Sequence, residues 1–168
     1  MEEEIFGKNV KLIVSEIDGV TTDGTYAEDE MGHVVYKVYQ SKDFSALNEI
    51  KKNFRFVFLS EDNHINYGMC RRRNVPFYWG KNEEEKYQRL IEILRRYSAT
   101  PDETIYIGSK ISDRKCLRMI PNSLCPDDAG EYLKDICFAS FIEKGGQGIF
   151  PELLYLLQDR IKNIKNPE

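Results

Sequence analysis

Short apolar runs that alternate with amphipathic stretches constrain this 168-residue chain more than any other feature. The runs Val10–Val14, "FRFVFLS" (54–60), "VPFYWG" (75–80), "TIYIG" (104–108) and "ICFASFIE" (136–143) are too short for helices and rich in β-branched and aromatic residues. Between them, "SKDFSALNEIKKN" (41–53), "DNHINYGMCRRRN" (62–74), "NEEEKYQRLIEILRRYS" (82–98), "SDRKCLRMI" (112–120) and "IFPELLYLLQDRIKNI" (149–164) carry helical spacing. In the first helix Ser41 or Asp43 is the expected cap; in the third, Leu90, Ile91 and Leu94 are expected to face inward. Strands and helices in alternation imply an α/β fold, a three-layer Rossmann-like parallel sheet. One insertion breaks the rhythm: "GTYAEDEMGHVVYKVY" (24–39) reads as a protruding β-hairpin. No further block is long enough for a large cap domain, and residues 1–168 are expected to form one domain.

Bulk properties exclude several functions. The net charge is −4, with no polybasic field, which argues against nucleic acid as a partner. No run reaches the length of a membrane span, and the start "MEEEIFGKNVK" is acidic, so a cytoplasmic protein is expected. Cys70, Cys116, Cys125 and Cys137 form no CxxC pair and are expected to be free, mostly buried thiols. His33 and His64 are expected at the surface, Trp79 in core or interface packing, and "GGQG" (145–148) in a flexible turn.

The chemistry-bearing residues fall at strand ends. Glu16 and Asp18 follow the first strand, Ser60 ends the next, and Ser109 to Asp113 follow "TIYIG", while Lys86 opens a helix. Acids two apart on an extended segment point the same way, and the carboxyl ends of parallel strands share one edge. Acid, acid, hydroxyl, lysine, acid is a phosphoryl-transfer layout. One carboxylate attacks phosphorus and another serves the leaving group, while hydroxyl and ammonium hold phosphate oxygens and an acid-bound Mg²⁺ neutralises charge. Read without further context, Glu16 and Asp18 are better explained as turn or cap residues, and Asp113 equally well as a helix-dipole partner.

With these motifs the chain resembles the haloacid dehalogenase superfamily in its small capless branch. That branch holds the 3-deoxy-octulosonate 8-phosphate phosphatases, related sialic-acid 9-phosphate phosphatases and the phosphatase-like carboxy-terminal domain of acylneuraminate cytidylyltransferases. "IDGVTTDG" resembles the family's D-x-D-G-x-x-T-D-G opening, "SKDFSAL" its K-D-G helix start, and "IYIGSKISD" its G-D-D-x-x-D loop. "CPDDA" and "GGQG" resemble two later signatures. The resemblance implies Glu16 at the nucleophile, Asp18 as general acid/base, Ser60 on phosphate and Lys86, or Lys81, as the lysine. It places a Mg²⁺ site at Glu16, Asp18, Ser109 and Asp113.

The departures from the pattern weaken that machinery. Glu16 replaces an Asp, which displaces the attacking oxygen by roughly 1 Å, a scale worth on the order of 100-fold in an aligned displacement. Ser109 and Lys110 replace two acids of the metal loop, so Mg²⁺ binding is expected to be weakened. Lys110 could itself sit in the vacated space, paired with Glu16 or Asp113, which the sequence leaves open. Glu61-Asp62 replace a Gly-Arg, and Pro151 replaces an arginine. The leading expectation is therefore a degenerate, phosphatase-like oligomerisation or regulatory module of keto-sugar-acid metabolism. The alternative is an active Mg²⁺-dependent phosphatase of a sugar-acid phosphate. The resemblance also implies a homotetramer built through the hairpin and, as a possible partner, a sugar nucleotidyltransferase.

Overall fold

Leu12–Ser15, the first strand (β1), is buried along its whole length, as only a strand covered on both faces can be. The computed structural model describes residue 6 and residues 9–62 and 64–165. β1 lies between β4 (Arg55–Ser60) and β6 (Thr104–Ile107), parallel to both, with Leu12 opposite Arg55 and Thr104. Adding β5 (Phe77–Trp79), β7 (Asn122–Cys125) and β8 (Ala139–Ser140) completes a six-stranded parallel sheet in the order β5-β4-β1-β6-β7-β8.

The pleat divides the core in two. Ile13, Phe56, Phe58, Ile105 and Ile107 face helices α1 (Ser41–Ile50), α2 (Ile65–Arg72) and α6 (Ile149–Leu156). Leu12, Val14, Val57, Leu59 and Tyr106 face α3 (Glu83–Arg96) and α4 (Arg114–Met119). Alternate residues of each strand thus serve opposite layers, which gives the expected three-layer α/β fold with no large cap.

The hairpin pairs β2 (Ala27–Glu28) with β3 (Val34–Tyr36), shorter than the sequence suggested and shifted by a bulge. Its turn is closed by the Asp29 carboxylate, which accepts from the backbone N–H groups of Met31 and His33. Beyond β3 the chain turns back to the body, where the Tyr39 hydroxyl donates to Asn66 Oδ1 at 2.8 Å.

Several expectations need correction. β7 falls where the sequence analysis names no element; pairing with both β6 and β8 makes it a buried strand. The expected last strand shrinks to two residues, preceded by a short helix α5 (Glu131–Lys134). The closing helix breaks at Leu157 into α6 and α7 (Gln158–Lys165). Gln40, not Ser41 or Asp43, caps α1. In α3, Ile93 takes the inward place expected for Ile91, which is only half-buried. Trp79 is 40% exposed, its indole N–H donating to the Glu61 carbonyl, so it is not core. The cysteines are free as expected, and both histidines are exposed.

Asp43 is fully buried and ties α1 to α6, its Oδ1 accepting from the Phe150 N–H at 2.9 Å. Burial pushes its carboxyl up to about 6, although the bond from Phe150 opposes that. A folded value above the unfolded one means that Asp43 favours the fold below about pH 4 and loses that contribution as pH rises toward 6. Asp43→Asn keeps the acceptor and removes the charge. Urea unfolding is expected to show the variant gaining on the wild type between pH 4 and pH 7, by up to about 3 kcal/mol. A difference independent of pH would show that Asp43 does not titrate in this window.

Candidate active site

The carboxyl-end edge of the sheet holds every predicted site residue. From β1 the chain builds outward through β4 and β5, then returns to build β6, β7 and β8 on the other side, so β1 and β6 flank the point where strand order reverses. Loops diverge there and leave a crevice. Glu16 enters it directly after β1, its N–H bound to the Ile107 carbonyl at 2.9 Å.

Three fully buried charges meet at the base. The Lys86 ammonium contacts Glu16 Oε2, Asp113 Oδ1 at 2.7 Å and the Ser112 hydroxyl at 3.2 Å. Lys86 arrives on the first turn of α3, whose N-cap Asn82 accepts from the Glu85 N–H. Asp113 also accepts from the Tyr106 hydroxyl at 2.7 Å and from the N–H groups of Ser109 and Lys110 at 2.9 and 3.0 Å. Burial by itself would raise Asp113, but Lys86 and these donors hold it below the ordinary range. Glu16 has fewer donors, Lys86 and the Ile17 N–H, and burial raises it despite Lys86. Burial opposes the charge on Lys86, yet Asp113 and Glu16 raise its pKa and keep it protonated.

Asp18 turns to a different set of partners. Lys37, from the segment after β3, places its ammonium 2.8 and 2.9 Å from the two carboxylate oxygens, and Asp62 pairs with the same ammonium. The Lys37 side chain is only 1% exposed. Asn66 on α2 donates to Asp18 Oδ2 at 2.9 Å and to the Ser60 hydroxyl at 3.1 Å, linking the predicted phosphate hydroxyl to the acid. The Glu16 and Asp18 carboxylates therefore engage different partners. The strand ends before them and each carboxylate follows its own lysine.

The loop after β6 closes the site. The Ser109 hydroxyl donates to the Asp18 carbonyl at 2.6 Å, and the Lys110 ammonium stands 3.5 Å from Glu61 and 4.0 Å from Asp18. Lys110 thus pairs with Asp18 and Glu61, not with Glu16 or Asp113, because Lys86 already occupies both of those carboxylates. Burial works against its charge, but Glu16, Glu61 and Asp18 raise its pKa. Two glycines permit this closeness: a Cβ on Gly19, whose φ is +79°, would lie 2.6 Å from Ser109 Oγ, and one on Gly108 would lie 2.6 Å from Asp113 Cβ. The "GGQG" segment is no free turn. Gly146 donates to the Val20 carbonyl at 2.8 Å, and a Cβ on Gly145 would meet the Gly19 carbonyl oxygen at 2.1 Å. An open cleft of about 550 Å³ adjoins the site, bordered by Glu61, Asn82, Ser109, Lys110 and Tyr132.

The structure brings the expected residues Glu16, Asp18, Ser60, Lys86, Ser109 and Asp113 to one edge, together with Lys37, Asn66 and Tyr106, which sequence reasoning did not single out. Lys37 had one signal, a lone cation in the apolar run "VVYKVY". Asn66 and Tyr106 had none, being ordinary within their elements.

Removing one member of a buried ion group leaves its partners uncompensated. Lys86→Met is expected to destabilise the fold by about 3–5 kcal/mol in urea unfolding, and adding Glu16→Gln to recover part of that loss. Equal stability of Lys86→Met and wild type would overturn the buried triad.

No protein-family model matches the chain. Over 152 residues it is 25% identical to the 3-deoxy-D-manno-octulosonate 8-phosphate phosphatase KdsC of Haemophilus influenzae, spanning 87% of this chain and 81% of that protein. The cobalt-bound structure of the Haemophilus influenzae phosphatase superposes with a TM-score of 0.83 at 23% identity, over 99% and 96% of the two chains. The Moraxella catarrhalis phosphatase, solved with magnesium, phosphate and a KDO molecule, gives 0.85 at 17% identity, over 98% and 96%. A haloacid dehalogenase family hydrolase from Streptomyces avermitilis gives 0.81 at 18%, over 90% and 86%. The architecture is that of the KdsC-like phosphatases of the haloacid dehalogenase superfamily.

Proposed function

We propose that the chain is a phosphomonoester hydrolase acting on a phosphorylated keto-sugar acid. The observation that carries this reading is the convergence of Glu16, Asp18, Ser60, Lys86 and Asp113 on one sheet edge, in a fold shared with phosphatases of that substrate class. A Glu16 oxygen forms a bond to phosphorus as the bond from phosphorus to the sugar oxygen breaks, and a proton from Asp18 goes to that oxygen. Water then attacks the acyl phosphate, gives its proton back to Asp18, and releases phosphate. Lys86 positions Glu16, Asn66 orients Asp18 and Ser60, and Lys110 at the cleft supplies positive charge for the phosphoryl oxygens.

A second reading, the degenerate module that led the sequence-based expectation, has one observation in its favour. Both Glu16 oxygens are engaged, by Lys86 and by the Ile17 N–H, in a fully buried position. The comparisons support the phosphatase reading better, because the relatives with a stated activity are phosphatases. A link to sialic acid and to cytidylyltransferases rests on the sequence text "GSKISDRKCL" alone. For either reading we propose a homotetramer, since Tyr26, Met31, Val35, Tyr36 and Val38 leave the hairpin with exposed apolar surface.

Phosphate release from 3-deoxy-octulosonate 8-phosphate tests the main reading. Wild type is expected to turn over slowly, Glu16→Gln and Asp18→Asn to lose at least about 100-fold, and Glu16→Asp to gain. A silent wild type that Glu16→Asp with Ser109→Asp awakens would establish the degenerate module. Sedimentation velocity is expected to show a tetramer that Val35→Lys with Val38→Lys dissociates; an unaltered tetramer would rule out the hairpin as its interface.

A further inference from the structure

We propose that Lys110 and Ser109 stand in place of the divalent cation, so that this site carries its positive charge covalently and takes no metal ion. The structures superposed above include cobalt-bound and magnesium-bound phosphatases of the same architecture. A hard cation such as Mg²⁺ needs oxygen ligands with free lone pairs in a near-octahedral array. Among the described residues none of the carboxylates Glu16, Asp18 and Asp113 is free of other donors.

Each oxygen a cation would use already has a donor. Asp113 accepts four hydrogen bonds, from Lys86 and Tyr106 on Oδ1 and from the Ser109 and Lys110 N–H groups on Oδ2, which fills its acceptor sites. Glu16 has Lys86 on one oxygen and the Ile17 N–H on the other. The Asp18 carboxylate has Lys37 on both oxygens and Asn66 on one, and its backbone carbonyl takes the Ser109 hydroxyl at 2.6 Å. Among the described residues no group of three or more acidic, histidine or cysteine side chains is arranged to hold a metal.

A hydroxyl and an ammonium explain this together. Ser109 is short enough to bond the Asp18 carbonyl, where a carboxylate would repel it. Lys110 then points into the same crevice, 4.0 Å from Asp18 and 3.5 Å from Glu61. An ammonium at that distance offsets carboxylate charge as a bound cation would, without demanding octahedral geometry. The chain also brings its own cation to Asp18 from the hairpin, in Lys37. The inference does not depend on turnover and holds under either reading of function.

Acids outnumber lysines around the crevice, so loosely attracted cations must be told apart from ligated ones. Visible ligand-field absorption of Co²⁺ reports inner-sphere ligation, and titration calorimetry with Mg²⁺ reports stoichiometry. Wild type is expected to show no saturable one-to-one binding of either ion at millimolar concentration. Ser109→Asp with Lys110→Ala, its fold checked by circular dichroism, is expected to gain a saturable one-to-one Co²⁺ spectrum. Should that variant unfold, Ser109→Asp with Lys110→Gln takes its place, since the Lys110 side chain is 34% exposed, with the same gain expected. One tightly ligated ion in wild type would overturn the proposal, as would folded variants that still bind none. Because these readouts need no catalysis, failure here is distinct from failure of the phosphatase reading.

Discussion

A single buried ammonium organises the carboxyl-end edge of the sheet. Lys86 sits between Glu16 and Asp113 with none of the three exposed, and an arrangement like that is tolerated only where opposite charges and hydrogen bonds offset the loss of water. The requirement propagates outward. Asp113 must be approached by two backbone N–H groups and a tyrosine, so the loop after β6 folds tightly over Gly108. That same loop delivers Ser109 and Lys110 to Asp18. Fixing one lysine therefore fixes the positions of three acids, two just after β1 and one after β6.

The hairpin contributes more than surface. Lys37 leaves β3 and reaches into the body, binding Asp18 and Asp62, while Tyr39 bonds Asn66, which in turn holds Asp18 and Ser60. The flap and the site thus form one polar network. Asp62 acquires a role here: where the related phosphatases are expected to carry an arginine, this chain has an acid that meets a lysine from the flap.

How much was legible in the sequence follows from the range of each interaction. Strands such as Leu12–Ser15 and Arg55–Ser60, and helices such as Glu83–Arg96, were readable because burial on one or two faces writes a local period into the chain. The strand Asn122–Cys125 was not, because its burial comes from neighbours on both sides and not from its own composition. The acids at the strand ends could be named from sequence since motif spacing survives in the text. Lys86 was assigned there only by resemblance, because nothing local distinguishes a buried lysine on a first helical turn from a solvated one.

By itself the sequence determined the layer architecture, the hairpin and the set of acids at strand ends, all of which depend on periodicity or on residues close in the chain. Tertiary structure alone decided which charge meets which. Glu16 and Asp18 are neighbours in sequence, yet one goes to a helix lysine 70 positions away and the other to a flap lysine 19 positions away. Lys110 lies opposite Glu61 and Asp18 because Lys86 had already taken the deeper carboxylates. Charge pairing acts through space over a few ångströms, and only the fold sets those distances.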